Sequence, residues 1–215
     1  MSLPLPKIAE ALKEAKKKAK PRKFKQSVEL IIKLRDVDLK NPANRLNTVV
    51  FLPHAPKKKV KIAVFAAGDM ALKAKEAGAD LVLGRDDIER LAGNKKEIKK
   101  LAKEYDFFLA QADLMPLIGR YLGRFLGPRG KMPAPVPPRA NIEEIIKRYR
   151  SAVRLRVRDQ PQVACRIGTE DQSEEELAEN AQAIINQILQ KYKPYNLDKV
   201  YVKLTMGKPV SVKVK

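Results

Sequence analysis

The hydrophobic pattern of this chain changes its period twice, and that change limits the possible folds more than any other feature. Near the start, in SVELIIKL, Val28, Leu30 and Ile32 alternate with Ser27, Glu29 and Lys33, the period of a strand with one wet face. A second strand, NTVVFL, ends at Pro53. From Lys59 the chain reads KVKIAVFA, a nearly continuous apolar run. Helical and strand-like stretches then follow in turn: GDMALKAKEAGA, DLVLG, DDIERLAGNKKEIKKLAKEY (one broken helix or two), DFFLAQ and ADLMPLIGRYLGRFLG. Strands buried on both faces and separated by helices predict βαβ units and a parallel sheet. After the Pro- and Gly-rich loop LGPRGKMPAPVPPR and a helix over NIEEIIKRYR, alternation returns. VRLRVR and QVACRIG read as adjacent strands, and KVYVKLT and PVSVKVK as two more.

The two ends therefore share an α+β style that the middle lacks. The simplest architecture combines α+β and α/β: residues 1–60 with 150–215 form a discontinuous two-layer α+β domain, and residues 61–149 form an inserted Rossmann-like three-layer α/β domain. The opening helix carries Leu5, Ile8, Ala9 and Leu12 on one stripe and stops by Pro21. The amphipathic helix SEEELAENAQAIINQILQKY starts on a capping box of Ser173 and Glu176.

Charge decides where to look for function. The 215 residues hold 45 Lys+Arg against 25 Asp+Glu, a net +20. Such an excess repels itself unless a polyanion is present, and nucleic acid is the obvious one. Residues 61–149 carry 17 basic and 12 acidic side chains, which leaves 28 and 13, net +15, for the two ends. The run KKKAKPRKFKQS sets seven Lys and Arg around a single aromatic, Phe24. Its cations can displace counterions from phosphates, and its ring can lie against a ribose or base.

Other signals are weaker. Arg154, Arg156 and Arg158 share one face of VRLRVR; that face suits phosphate, but equally the acidic helix start EDQSEEE, or water. GPRGK has neither the glycine spacing nor the Ser or Thr of a P-loop, since Met132 follows Lys131, so the loop reads as one that presents Arg129 and Lys131 to RNA or protein. AAGDMALKAKEAG is no dinucleotide fingerprint, since only Gly68 falls in the turn. His54, between Pro53 and Pro56, reads as a loop residue, and Cys165 as a small core residue. One histidine and one cysteine leave little for metal or acid-base chemistry, so no cofactor is expected. The chain has no run of about 20 apolar residues and no signal-peptide core, which predicts a cytoplasmic protein with no membrane partner, monomeric when free. In LTMGKPVSV, Gly207 suits the positive φ of a tight turn, while Met206 is a soft apolar group at a tip that turn geometry leaves unexplained.

Three segments together, RKFKQSVEL with the later LPHAP, FLGPRGKMPAPVP, and VYVKLTMGKPVSV, resemble the L-one family of universal large-subunit ribosomal proteins in its archaeal or eukaryotic form. They occur in family order over nearly the whole chain. The resemblance implies a discontinuous basic domain joined by a hinge to a Rossmann-like insert, without enzymatic activity. It implies binding to large-subunit rRNA at the mobile stalk beside the tRNA exit site, contact with exit-site tRNA that assists its release, and repression of translation through the protein's own mRNA. Carried over residue by residue, the RNA surface falls on Lys23, Phe24, Ser27 and Glu29 and on Thr205, Met206 and Gly207, with Arg166 and Thr169 as additions. Ser27 stands where Thr is common in the family and keeps the hydroxyl. Hydroxyls and carboxylates can read a 2′-hydroxyl or a base edge, which phosphate-binding lysines cannot. The competing expectation is a nucleotide-dependent enzyme acting on RNA through the insert, which a Rossmann-like topology permits without establishing.

Overall fold

The computed structural model describes residues 4–212. Helix α1, Leu5–Lys18, buries Ile8, Ala11, Leu12 and Ala15 along one stripe. Its last turn holds Lys16, Lys17 and Lys18, where cations face the negative end of the helix dipole. Strand β1, Ser27–Leu34, buries every second residue, as its alternation predicts. Strand β2, Leu46–Phe51, follows a turn-rich connection in which Asp36 takes a positive φ of 56°.

The middle of the chain alternates. Strand β3, Ile62–Phe65, is buried throughout, and α2, Gly68–Glu76, starts on Gly68 at a φ of 58°. Then come β4, Leu81–Leu83, and two separate helices, α3, Arg85–Ala92, and α4, Lys95–Glu104. They divide at Asn94, whose side chain accepts a hydrogen bond from the Glu97 amide and caps α4. Strand β5, Phe107–Gln111, precedes α5, Met115–Tyr121, and the short α6, Gly123–Leu126. One continuous helix was expected over these last two. Next is β6, Ala134–Val136, inside the stretch expected to be only a Pro- and Gly-rich loop. Pro135 cannot donate to a ladder, but β6 lies at the sheet edge, where proline is tolerated.

Helix α7, Ile142–Arg150, leads to β7, Ala152–Val157, and β8, Gln162–Thr169. Helix α8, Glu174–Leu189, opens on the expected capping box: the Glu176 amide donates to Ser173 Oγ at 3.1 Å, and the Ser173 amide to the Glu176 carboxylate at 3.4 Å. Strands β9, Leu197–Leu204, and β10, Val210–Val212, follow. The expected continuation of the last strand through Lys213, Val214 and Lys215 lies outside the described residues.

Two compact units result: residues up to 58 with those from 151 onward, and Lys59–Arg150. In the first, an antiparallel sheet runs β10-β9-β1-β8, and β2 pairs with β7 in a separate two-stranded sheet. The ladder partner of β7 is therefore β2, not the adjacent-reading β8, which pairs with β1. Helices α1 and α8 share one core with these strands, built on Ile8, Leu12, Val28, Leu30, Ile32, Leu177 and Ile184. In the second unit the sheet is parallel in the order β4-β3-β5-β6, and Phe65 stacks on Phe108 with ring centroids 6.0 Å apart. The fold is mixed α/β.

The second unit begins two residues before the expected border and ends one after it. Asp80 gives the reason. Its carboxylate meets Lys59 Nζ at 2.5 Å, the Ile62 amide at 2.9 Å and Arg150 at 2.6 Å, while Arg150 also donates to the Gly78 and Val60 carbonyls. The first and last residues of the unit are thus tied to one carboxylate. Burial pushes its pKa up, but Lys59, the Ile62 amide and Arg150 outweigh burial and leave it below the ordinary value. Asp80→Ala is expected to lower the stability of the unit by on the order of 3 kcal/mol, because a half-buried guanidinium loses its counter-charge; urea unfolding of the full chain measures this.

Candidate nucleic-acid interface

The nine expected site residues lie on three segments of the first unit: the approach to β1 and its first residues, the end of β8, and the corner between β9 and β10. Strand register brings these segments together. Ser27 stands opposite Thr169, and Val28 opposite Leu204. Glu29 stands opposite Arg166 on one side and Lys203 on the other, so one row across the sheet reads cation, carboxylate, cation. Val28, Leu30, Ile167, Val202 and Leu204 point into the core, which leaves Ser27, Glu29, Arg166 and Lys203 half-buried on the opposite face. Lys203 Nζ lies 3.3 Å from the Glu29 carboxylate and donates to the Thr205 carbonyl at 3.0 Å, linking that row to the corner.

The corner is held at its base. The Thr205 amide donates to the Ser27 carbonyl at 3.0 Å. The Thr205 hydroxyl donates to the same carbonyl and accepts from the Ser27 amide, both at 3.2 Å. Only one lone pair of that hydroxyl remains for another donor. The Gly207 amide donates to the Leu204 carbonyl at 2.9 Å and closes the turn. The positive φ expected at Gly207 is absent; the glycines that have one are Gly68, Gly78 and Gly130. Closeness is the constraint instead, since a Cβ on Gly207 would come within 3.3 Å of Leu204 Cβ. Met206 stands at the tip, 58% exposed. Its amide donates at 3.1 Å to the carboxamide of Gln26, a residue that the sequence reading passed over.

Thr169 is placed differently from the others. It is 2% exposed, its hydroxyl donates to Asp171 at 2.6 Å, and its amide donates to Gln172 Oε1 at 3.0 Å. That approach needs Gly168, where a Cβ would fall 2.4 Å from Gln172 Oε1. In this structure Thr169 holds a turn. Asp171 in turn meets Lys25 at 3.1 Å and Lys57 at 3.6 Å. Along the basic run, Lys16 pairs with Glu174 and Lys18 with Glu14. Lys17, Lys20, Arg22 and Lys23 have no carboxylate partner among the described residues, and Phe24 beside them is 52% exposed.

The other motifs resolve simply. Arg129 donates to the Lys99 carbonyl at 3.1 Å and Lys131 to that of Tyr105 at 2.6 Å, so GPRGK braces its own unit. His54 lies 2.7 Å from Glu179, and the buried Asn180 bonds both backbone groups of His54. Cys165 is buried with its thiol pushed up to about 12 by that burial. Among the described residues no helix is long and apolar enough to cross a membrane.

Residues 12–208 match the ribosomal protein L1p/L10e family. The chain belongs to that family. It is 59% identical to the large ribosomal subunit protein uL1 of Thermofilum pendens, an alignment that covers 95% of this chain and 92% of the relative. With the protein of the same name from Hyperthermus butylicus it shares 53% identity over 97% and 96% of the two chains. With that of Methanothermobacter thermautotrophicus it shares 49% over 95% and 98%.

Within this L1p/L10e chain, each candidate site residue that sequence reasoning missed has at least one partner far away along the chain. Lys203 alternates outward like any strand lysine, and only register shows it beside Glu29. Gln26 looks like one polar residue among lysines. Asp171 has a detectable consequence: the Thr169 hydroxyl, with Lys25, holds its carboxyl down at about 2. A depressed folded pKa means that the contribution of Asp171 to this turn is complete above its ordinary range and disappears as pH falls from about 4 to 2. NMR titration of the Thr169 amide and the Lys25 Nζ resonances is expected to show that step, and Asp171→Asn to abolish it.

Proposed function

We propose that the first unit is the RNA-binding part of a structural protein of the large ribosomal subunit, holding large-subunit rRNA at the mobile stalk beside the tRNA exit site. The observation that carries the reading is the row of polar groups around Glu29 beside the corner that exposes Met206, joined through Gln26 to a basic segment in which Phe24 is exposed and Lys17, Lys20, Arg22 and Lys23 have no carboxylate partner among the described residues. The relatives are named as large ribosomal subunit proteins, which supports a structural role and not an enzymatic one.

The division of labour follows from chemistry. Lys17, Lys20, Arg22 and Lys23 supply attraction to phosphate, which is independent of sequence and weakens with salt. Met206 and Phe24 supply apolar surface for a ribose or an unstacked base, while Ser27, Glu29, Arg166 and the remaining lone pair of Thr205 suit 2′-hydroxyls and base edges. Gly207 keeps the corner tight, and Thr169 acts through the neighbouring turn. A site of this kind recognises any RNA that presents the same shape, which supports a second role as repressor on the chain's own mRNA. The discontinuous two-layer domain and the Rossmann-like three-layer insert are the architecture this reading adopts. The insert, with its parallel sheet and net +5, is the part assigned to exit-site tRNA and its release.

Met206→Ala is expected to weaken binding to large-subunit rRNA by on the order of 1 to 3 kcal/mol, with random-sequence RNA and the salt slope unaffected. Lys23→Gln is expected to weaken both RNAs and to reduce the salt slope by about 0.7 to 0.9. Filter binding across a salt series separates the two. Equal loss on both RNAs for Met206→Ala contradicts the assignment of specificity to the corner.

A further inference from the structure

We propose that Gln26 is the positioning residue of the corner: its buried carboxamide fixes where Met206 stands relative to the basic segment. The proposal rests on the reading of residues 205–207 as an RNA contact. Gln26 is 1% exposed, and a buried carboxamide is tolerated only when both its ends are hydrogen-bonded. Both are. Oε1 accepts from the Met206 amide at 3.1 Å, and Nε2 donates to the Lys20 carbonyl at 3.3 Å. The opposite orientation would set the NH₂ group against an N–H and the oxygen against a carbonyl, so only one arrangement satisfies the site.

The Gln26 backbone is held as firmly. Its amide donates to the Glu170 carboxylate, and its carbonyl accepts from the Glu170 amide, both at 3.0 Å. One residue thus joins three separate stretches: the basic segment at Lys20, the turn after β8 at Glu170, and the tip at Met206. Thr205 and Gly207 fix only the base of the turn, and the bond to Gln26 is what holds the Met206 amide. A tip ordered before binding loses less conformational freedom when RNA covers it. The effect falls on specific binding, because the cations attract phosphate whatever Met206 does.

The side chain is matched to this task. Leucine in its place leaves the Met206 N–H and the Lys20 carbonyl without partners. Glutamate keeps an acceptor for Met206 but faces the Lys20 carbonyl with a second acceptor. The expected order of rRNA affinity at position 26 is therefore Gln, then Glu, then Leu.

The test uses the full chain with Gln26→Leu, Gln26→Glu, Met206→Ala and the Gln26→Leu/Met206→Ala pair. Each is measured against a large-subunit rRNA transcript and a random RNA of equal length, alongside hydrogen exchange at the Met206 amide. Gln26→Leu is expected to speed exchange at that amide and to weaken rRNA binding about 5- to 30-fold with random RNA unchanged. It should cost nothing further once Met206 is alanine. Faster exchange with unchanged rRNA affinity overturns the proposal, as does an equal loss in the Met206→Ala background. If Gln26→Leu does not fold, the same cycle with Gln26→Glu decides. Failure of the underlying reading looks different: Met206→Ala alone then leaves rRNA binding intact, and the proposal falls with it.

Discussion

The first unit depends on one strand: β1, from near the start of the chain, is hydrogen-bonded on both edges to strands from its far end. The bonds between Ser27 and Thr205 span 178 residues. Bringing such distant segments together has an entropic cost that grows only slowly with their separation. Burial of Val28, Leu30, Ile32 and Leu34, each at most 1% exposed, offsets it. Because a strand alternates its two faces, the register that buries those four residues also sets Glu29 between Arg166 and Lys203, and Ser27 beside the corner. Core and candidate interface are two sides of one ladder.

On the proposed reading, that coupling would let a protein with so large an excess of positive charge be selective. Cations on a solvated segment attract any polyanion. Selectivity needs groups held in place before the partner arrives, and the sheet and its corner offer such groups, since backbone bonds from Thr205, Met206 and Gly207 leave little freedom. Acidic residues contribute as well. Glu29, Glu170 and Asp171 sit among the lysines and tie down Lys203, the Gln26 backbone, Lys25 and Lys57. Among the described residues they divide the basic segment into cations engaged within the protein and cations with no carboxylate partner.

Much of this was legible in the sequence wherever the signal is local. Alternation placed β1, β8 and β9, Ser173 and Glu176 announced the start of α8, and the change to continuous apolar runs marked the parallel sheet. What could not be read were consequences of distant contact or of edge position. Pro135 disguised β6, because a strand at an edge can dispense with one donor. The pairing of β7 with β2 follows from no pattern in either strand. In the interface, exposed Met206 was suspected because turn geometry left it unexplained. Gln26 and the burial of Thr169 were invisible, since a buried polar side chain resembles an exposed one until its partners are known.

The proposed reading has RNA met at the corner and at the part of the basic segment that has no carboxylate partner among the described residues. Ultraviolet crosslinking of the full chain to total cellular RNA, mapped to single residues and nucleotides, tests it most directly. Crosslinks at Phe24 and Met206 to one compact region of large-subunit rRNA are expected. Crosslinks confined to residues 59–150, or spread over the lysines without preference for one RNA, would contradict it.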